Sequence, residues 1–148
     1  MHPDAAKLVE LLGLVPHPEG GFFRETFRSA IALAAPPGGR LRNASTAIYF
    51  LLAAGPGSAM HRVTSADEAW HHYDGDPVDL LLVSEEGTRT VVRLGHDFAA
   101  GERPQHVVPA GTWQAAQVVG DRYALCGCTV APGFDFEDFQ LAPTAPVR

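Results

Sequence analysis

The stretch that decides the fold runs from Gly55 to Gly75 and reads GPGSAMHRVTSADEAWHHYDG. His61 and Val63 stand two apart, so on an extended strand their side chains share one face. The segment Thr64 to Asp67 is small and polar, a turn signal. Residues 68–73, EAWHHY, then return as a second strand with Glu68, Trp70 and His72 on one face and His71 on the other. Such a hairpin aims His61 and Glu68 at a common point. An imidazole beside a carboxylate is a general-base arrangement, because the partner sets the tautomer and the pKa of the ring.

The rest of the chain extends the same pattern. Fifteen glycines and twelve prolines in 148 residues fit many short strands joined by tight turns. Asp4 to Gly13 has the three-to-four spacing of one apolar helix stripe, with Asp4 as the expected N-cap and Gly13 as the stop. GFFRETFRS, residues 21–29, is a strand whose faces split into Phe23, Glu25, Phe27 and Phe22, Arg24, Thr26, Arg28. Glu25 between two phenylalanines must be paired or serve a site. Residues 31–42 hold APPGGR, a loop or hairpin tip. STAIYFLLA, residues 45–53, is apolar on both faces and is placed at the centre of a sheet. VDLLLV and TRTVVRL flank the turn SEEGT as a further hairpin. QHVVP, PAGTWQAAQVV and DRYALCGCTV supply the remaining strands, and APGFDFEDFQL reads as an aromatic, acidic tail packed on the outside. His2, His17, His96 and His106 fall in loop-like or edge contexts and are taken as surface residues, with His17 able to reach the mouth of a site.

Composition narrows the function. Net charge is 11 − 17 = −6 and Lys7 is the single lysine, so binding nucleic acid through phosphate neutralisation is disfavoured. No run approaches the roughly twenty apolar residues of a spanning helix. The start MHPDAAKLVELL lacks the features of a signal peptide, so no membrane association and a cytoplasmic location are expected. Cys126 and Cys128 lie on one face of a strand, a poor geometry for a mutual disulfide. They read as small buried apolar groups in preference to a C-x-C metal site.

The Gly55–Gly75 spacing resembles the first motif of the cupin superfamily, G-x5-H-x-H-x(3,4)-E-x6-G, with Gly55, His61, Glu68 and Gly75 in place and Val63 where the second histidine stands. PAGTWQAAQV resembles the second motif through Pro109 and Gly111, with Gln114 in place of its histidine. HPEGGFFRETF, GDPVDL, GERPQHVVPAGTWQAA and YALCGCTVAPGFDFEDF are similar to the fifth cupin group, a family of unknown function. The resemblance implies an all-β, single-domain cupin jelly roll over residues 1–148, with a short N-terminal helix and a core at about 20–139. A local resemblance to dTDP-sugar 3,5-epimerases rests on Gly21 to Glu25. It implies ligand contacts from Phe23, Arg24 and Glu25, a catalytic base at His61 and an acid at Tyr123.

Cupins that hold metal typically use three histidines and one glutamate. Here His61, Glu68 and Gln114 remain as ligands, with His72 able to replace a lost one, so a divalent metal is expected to be weakly held or absent. The alternative is a metal-free pocket of His61, Glu68, His72 and Gln114 with Trp70 as a stacking wall. The leading expectation is a small-molecule-binding enzyme of isomerase or epimerase type acting on a sugar or nucleotide-sugar-like ligand. A metal-dependent cupin dioxygenase or isomerase, and a non-catalytic ligand-binding protein, are the other two readings. A homodimer is expected near the GFFRETF strand: Phe22 and Phe23 point opposite ways and cannot both enter one core, so one needs a second apolar surface, supplied by the N-terminal helix or by a partner subunit.

Overall fold

Thr46–Ala53, strand β5, is apolar on both faces and lies in the middle of a sheet, between β2 (Phe22–Arg28) and β12 (Tyr123–Ala131). The computed structural model describes residues 1–35 and 38–143. The six-stranded sheet runs in the order β1 (Val15–Pro16), β2, β5, β12, β7 (Asp67–Gly75), β10 (Gln105–Val108). A five-stranded sheet runs β13 (Phe139–Leu141), β6 (His61–Val63), β11 (Trp113–Val118), β8 (Val78–Val83), β9 (Arg89–Leu94). The described strand pairs within these sheets are antiparallel. Together they make the expected jelly-roll sandwich. Strands β3 (Ala32–Ala35) and β4 (Arg40–Asn43) form a separate hairpin. Pro36 and Pro37 of the APPGGR segment, expected as a loop or hairpin tip, lie outside the described residues.

The alternation read in β7 is what fills the space between the sheets. Trp70 points inward with Phe50, Leu52, Leu80, Leu82 and Val118 into one buried cluster. The opposite face of the large sheet would be apolar and bare without α1 (Pro3–Leu12), which covers it. Ala5, Leu8, Val9 and Leu12 pack there on Leu51, Tyr49 and Phe22. This answers the Phe22/Phe23 problem within one chain: Phe22 lies under the helix, and Phe23 packs against the inner cluster. The helix begins two residues earlier than an Asp4 cap implies. His2 is the N-cap and its Nδ1 accepts from the Asp4 amide, while Asp4 sits in the first turn, where a negative charge suits the helix dipole.

The C-terminal aromatic segment requires a correction. It does not pack on the outside. Phe139–Leu141 pairs with His61–Val63 as an edge strand of the smaller sheet, and Phe134 and Phe139 line the open end of the sandwich, with the half-exposed Phe136 at its rim. Arg42 donates to both carboxylate oxygens of the buried Asp138 at 2.9 and 3.1 Å and so ties this segment to β4. No helix among the described residues is long and apolar enough to cross a membrane.

Candidate functional site

His61 opens β6 and is registered opposite Gln114 on β11. Glu68 lies near the start of β7, so the hairpin brings both toward the open end of the sandwich. There the two sheets leave a cavity of about 250 Å³. His61 and Glu68 line it, and both are buried. Phe23, Ile48, Val63 and Val130 make the apolar walls, and Phe134, Phe136 and Phe139 close over them.

The residue that completes the polar end is Glu19, which the sequence reading missed. It sits in the turn His17 to Gly21, closed by His17 N–H to Gly21 O and Gly20 N–H to His17 O, both at 3.0 Å. Gly21 has φ +74, and a Cβ there would stand 2.8 Å from the Leu51 carbonyl oxygen and 2.9 Å from the Phe50 ring. Only glycine fits this turn without strain. The Glu19 carbonyl accepts from the Ala59 amide at 2.6 Å, which joins the turn to the loop just before His61. As a result Glu19 Oε2 lies 2.6 Å from His61 Nδ1. The same nitrogen faces the Ala59 carbonyl at 2.9 Å. One N–H cannot point at both, and Oε2 is left buried with no well-directed hydrogen bond among the described residues. Among those residues no hydrogen bond engages His61 Nε2, so this nitrogen is the one left for a ligand.

The electrostatics separate three neighbouring groups. Burial alone would lower the His61 pKa, but the Glu19 carboxylate outweighs it, with help from Glu68 and the Ala59 carbonyl, and the net shift is upward. His17 moves the other way: burial lowers it, Glu19 opposes this, and His61 adds to the lowering. Its Nδ1 accepts from the Glu19 amide at 3.1 Å, which fixes the neutral tautomer. Burial raises the Glu68 carboxyl pKa; His61, Gln114 and Cys128 hold it back in part, and Glu19 adds to the rise. Burial also pushes the Cys128 thiol well up, and Glu68 reinforces the shift, so this cavity-lining thiol is not an activated nucleophile.

The other expected site residues are distributed differently. Gln114 stands behind Glu68 and does not line the cavity: its Nε2 donates to Glu68 Oε1 at 2.7 Å and its Oε1 accepts from Trp70 Nε1 at 2.9 Å. Trp70 is part of the core, edge-on to Phe50, and not a cavity wall. His72 is buried deeper, with Nε2 donating to the Asp76 carbonyl at 2.7 Å. Arg24 is on the outer face and donates to Leu12 O at 3.2 Å. Tyr123 lies under α1, its hydroxyl donating to Asp74 at 2.8 Å. Phe23 and Glu25 do reach the cavity, Glu25 at its mouth in an ion pair with Arg28 at 2.6 Å. His17, expected at the surface and able to reach the mouth, has a buried side chain that lines the cavity.

Metal-ion chemistry fits this donor set poorly. Both polar ends of the Gln114 amide are committed, Val63 has no donor atom, and His61 Nδ1 is engaged. Among the described residues no group of three or more His, Cys, Asp or Glu is placed to hold a metal ion. Of the expected set, His61 and Glu68 line the cavity, while Gln114 stands behind Glu68 with its amide spent on Glu68 and Trp70.

The barrel, the motif hairpin and the cavity at its open end define a cupin. The chain matches the family described as Cupin superfamily (DUF985) over residues 6–142 and belongs to it. A crystal structure of a Shewanella oneidensis protein is 41% identical, with a TM-score of 0.84 over 96% of this chain and 85% of that one. A hypothetical protein from Leishmania major is 34% identical, with a TM-score of 0.88 over 95% of this chain and 88% of that one. An uncharacterized protein of Saccharomyces cerevisiae is 33% identical over 139 residues, 84% of this chain and 68% of its own length. A dTDP sugar isomerase from Desulfovibrio desulfuricans is 13% identical with a TM-score of 0.60, over 84% of this chain and 83% of that one, and shares the fold alone.

Proposed function

We propose that this cupin is an isomerase-type enzyme that moves a proton on a small sugar-like ligand, with His61 as base and Glu68 as acid. The observation that carries the reading is the 2.6 Å contact between Glu19 and His61 at the wall of a largely apolar cavity. Glu19 stabilises the imidazolium that forms when His61 Nε2 takes a proton, which makes the ring a stronger base. Burial raises the Glu68 pKa as well, toward a neutral carboxyl that can give a proton to a carbonyl oxygen. The roles follow from position: His61 Nε2 has no hydrogen bond among the described residues and can take a proton, and Glu68 lines the same cavity as a carboxyl that burial favours in its neutral form. The apolar walls suit the C–H face of a sugar ring, and the volume suits a ligand of about that size.

The step balances as follows. His61 removes the proton from the carbon next to the carbonyl while Glu68 protonates the carbonyl oxygen, giving an enediol. Glu68 then takes back a proton from the neighbouring hydroxyl as the new carbonyl forms. His61 returns its proton to the former carbonyl carbon. The test is to incubate the protein with free and phosphorylated aldoses and ketoses in D2O and follow deuterium uptake by NMR. Uptake at the carbon next to the carbonyl is expected for at least one sugar and should be lost in His61→Asn. No uptake from any of them, or uptake unchanged in His61→Asn, would sink the reading.

A further inference from the structure

Resting on the reading of this cavity as the ligand site, we propose that its ligand carries no phosphate or other anionic group and is a small non-anionic hydrogen-bond donor, such as an unphosphorylated polyol or amino-bearing ring. The argument begins with the cations. Among the described residues that line the cavity Arg28 is the one guanidinium, and no lysine lines it. Arg28 is already spent. Nε donates to Glu25 Oε2 at 3.2 Å, Nη1 to Asn43 Oδ1 at 2.9 Å, and Nη2 to Glu25 Oε1 at 2.6 Å and to Phe134 O at 3.0 Å. That uses four of the five N–H donors a guanidinium has. The other cation available to the cavity is protonated His61, and Glu19 neutralises it at 2.6 Å.

The acceptors point the other way. Four carboxyl side chains line the cavity: Glu19, Glu25, Glu68 and Asp135. Glu25 is matched by Arg28, and an Asp135 oxygen caps the turn at Phe136 by accepting from the Glu137 amide at 2.8 Å. Glu19 Oε2 is buried and lacks a directed donor. A buried acceptor of this kind is costly unless something donates to it, and the ligand is the group that can. The phenylalanine rings add their negative faces, which attract cations and not anions. A phosphate entering here would meet no free cation, a buried Glu19 carboxylate oxygen that receives no well-directed hydrogen bond, and a chain of net charge −6.

The experiment uses three probes of one shape, benzyl alcohol, benzylamine and phenyl phosphate, read by the NMR signals of the His61 ring. The alcohol and the amine should shift those signals saturably, and phenyl phosphate should bind at least tenfold more weakly than either. Glu25→Gln releases Arg28 and should strengthen phenyl phosphate binding by about tenfold relative to the alcohol. Phenyl phosphate binding as tightly as the alcohol, or none of the three shifting His61, would overturn the proposal. Deuterium uptake separates this from the enzymatic reading: uptake only from phosphorylated sugars keeps the isomerase and removes this inference. Binding of the alcohol and amine without any uptake does the reverse.

Discussion

Replacing Gln114 by Leu should destabilise the fold through polar loss with little change in packing. Gln114 is 1% exposed, and leucine is no smaller than glutamine, so the change opens no cavity. What is lost is a chain of two buried hydrogen bonds, from Trp70 Nε1 to Gln114 and from Gln114 to Glu68. An indole N–H left buried without an acceptor costs about 1–3 kcal/mol. Glu68 loses a donor but can answer by holding a proton, so that loss is nearer about 1 kcal/mol. Burying leucine carbon in place of an amide returns about 1 kcal/mol, leaving a net cost of about 2 kcal/mol. With a urea m value of about 1–3 kcal/mol per molar, the unfolding midpoint falls by about 1 M. Trp70→Phe removes the orphaned donor, so the double variant should be more stable than the sum of the singles by about 1 kcal/mol. A Gln114→Leu protein within about 0.5 kcal/mol of wild type, or a strictly additive pair, would refute the reasoning.

The raised His61 pKa means that its stabilising contribution is complete below the unfolded value of about 6.5 and is lost as pH rises through the folded one. An NMR titration of His61 should therefore show a midpoint above 6.5 that drops in Glu19→Gln. Gly21→Ala should cost at least about 2 kcal/mol in thermal or urea unfolding, because φ +74 disfavours a side chain and the new Cβ meets Leu51 O and the Phe50 ring. The edge of β2 is covered by β1 only at Phe22 and Phe23, and Phe27, Ile31 and Leu41 beside it are exposed. If a homodimer forms there, light scattering gives twice the chain mass and Phe27→Glu shifts it toward monomer; a monodisperse monomer at micromolar concentration rules it out.

The jelly roll was legible because it is written in local signals. Strand alternation in EAWHHY, the apolar run TAIYFLLA and the glycine turns each act within a few residues. The hairpin pair of His61 and Glu68 was legible for the same reason. Glu19 was not, because nothing in HPEGG says that its turn will be pinned to Ala59 and press a carboxylate against His61. The aromatic tail was misplaced on similar grounds. FDFEDF looks like a solvated, acidic edge until Arg42 takes Asp138 and frees the phenylalanines to turn inward. Alternation places Trp70 and Gln114 on an inward face but gives no depth, so both were expected in the cavity wall and both lie in the core behind it. It could not say that their polar ends would be spent on each other and on Glu68.

The closing of the barrel mouth by Phe134, Phe136 and Phe139 has a kinetic side. The cavity is walled by the turn at His17 to Gly21, by the motif hairpin and by a segment near the far end of the described chain. That last segment joins the smaller sheet through the short edge strand Phe139–Leu141, where local opening is cheapest. A ligand held in the cavity therefore acts as a removable cross-link between distant parts of the chain. At a concentration of one hundred times Kd it would stabilise the folded state by about 2.7 kcal/mol. Its first visible effect should be slower amide hydrogen exchange along Phe139–Leu141, well before any change at Thr46–Ala53 in the centre of the large sheet.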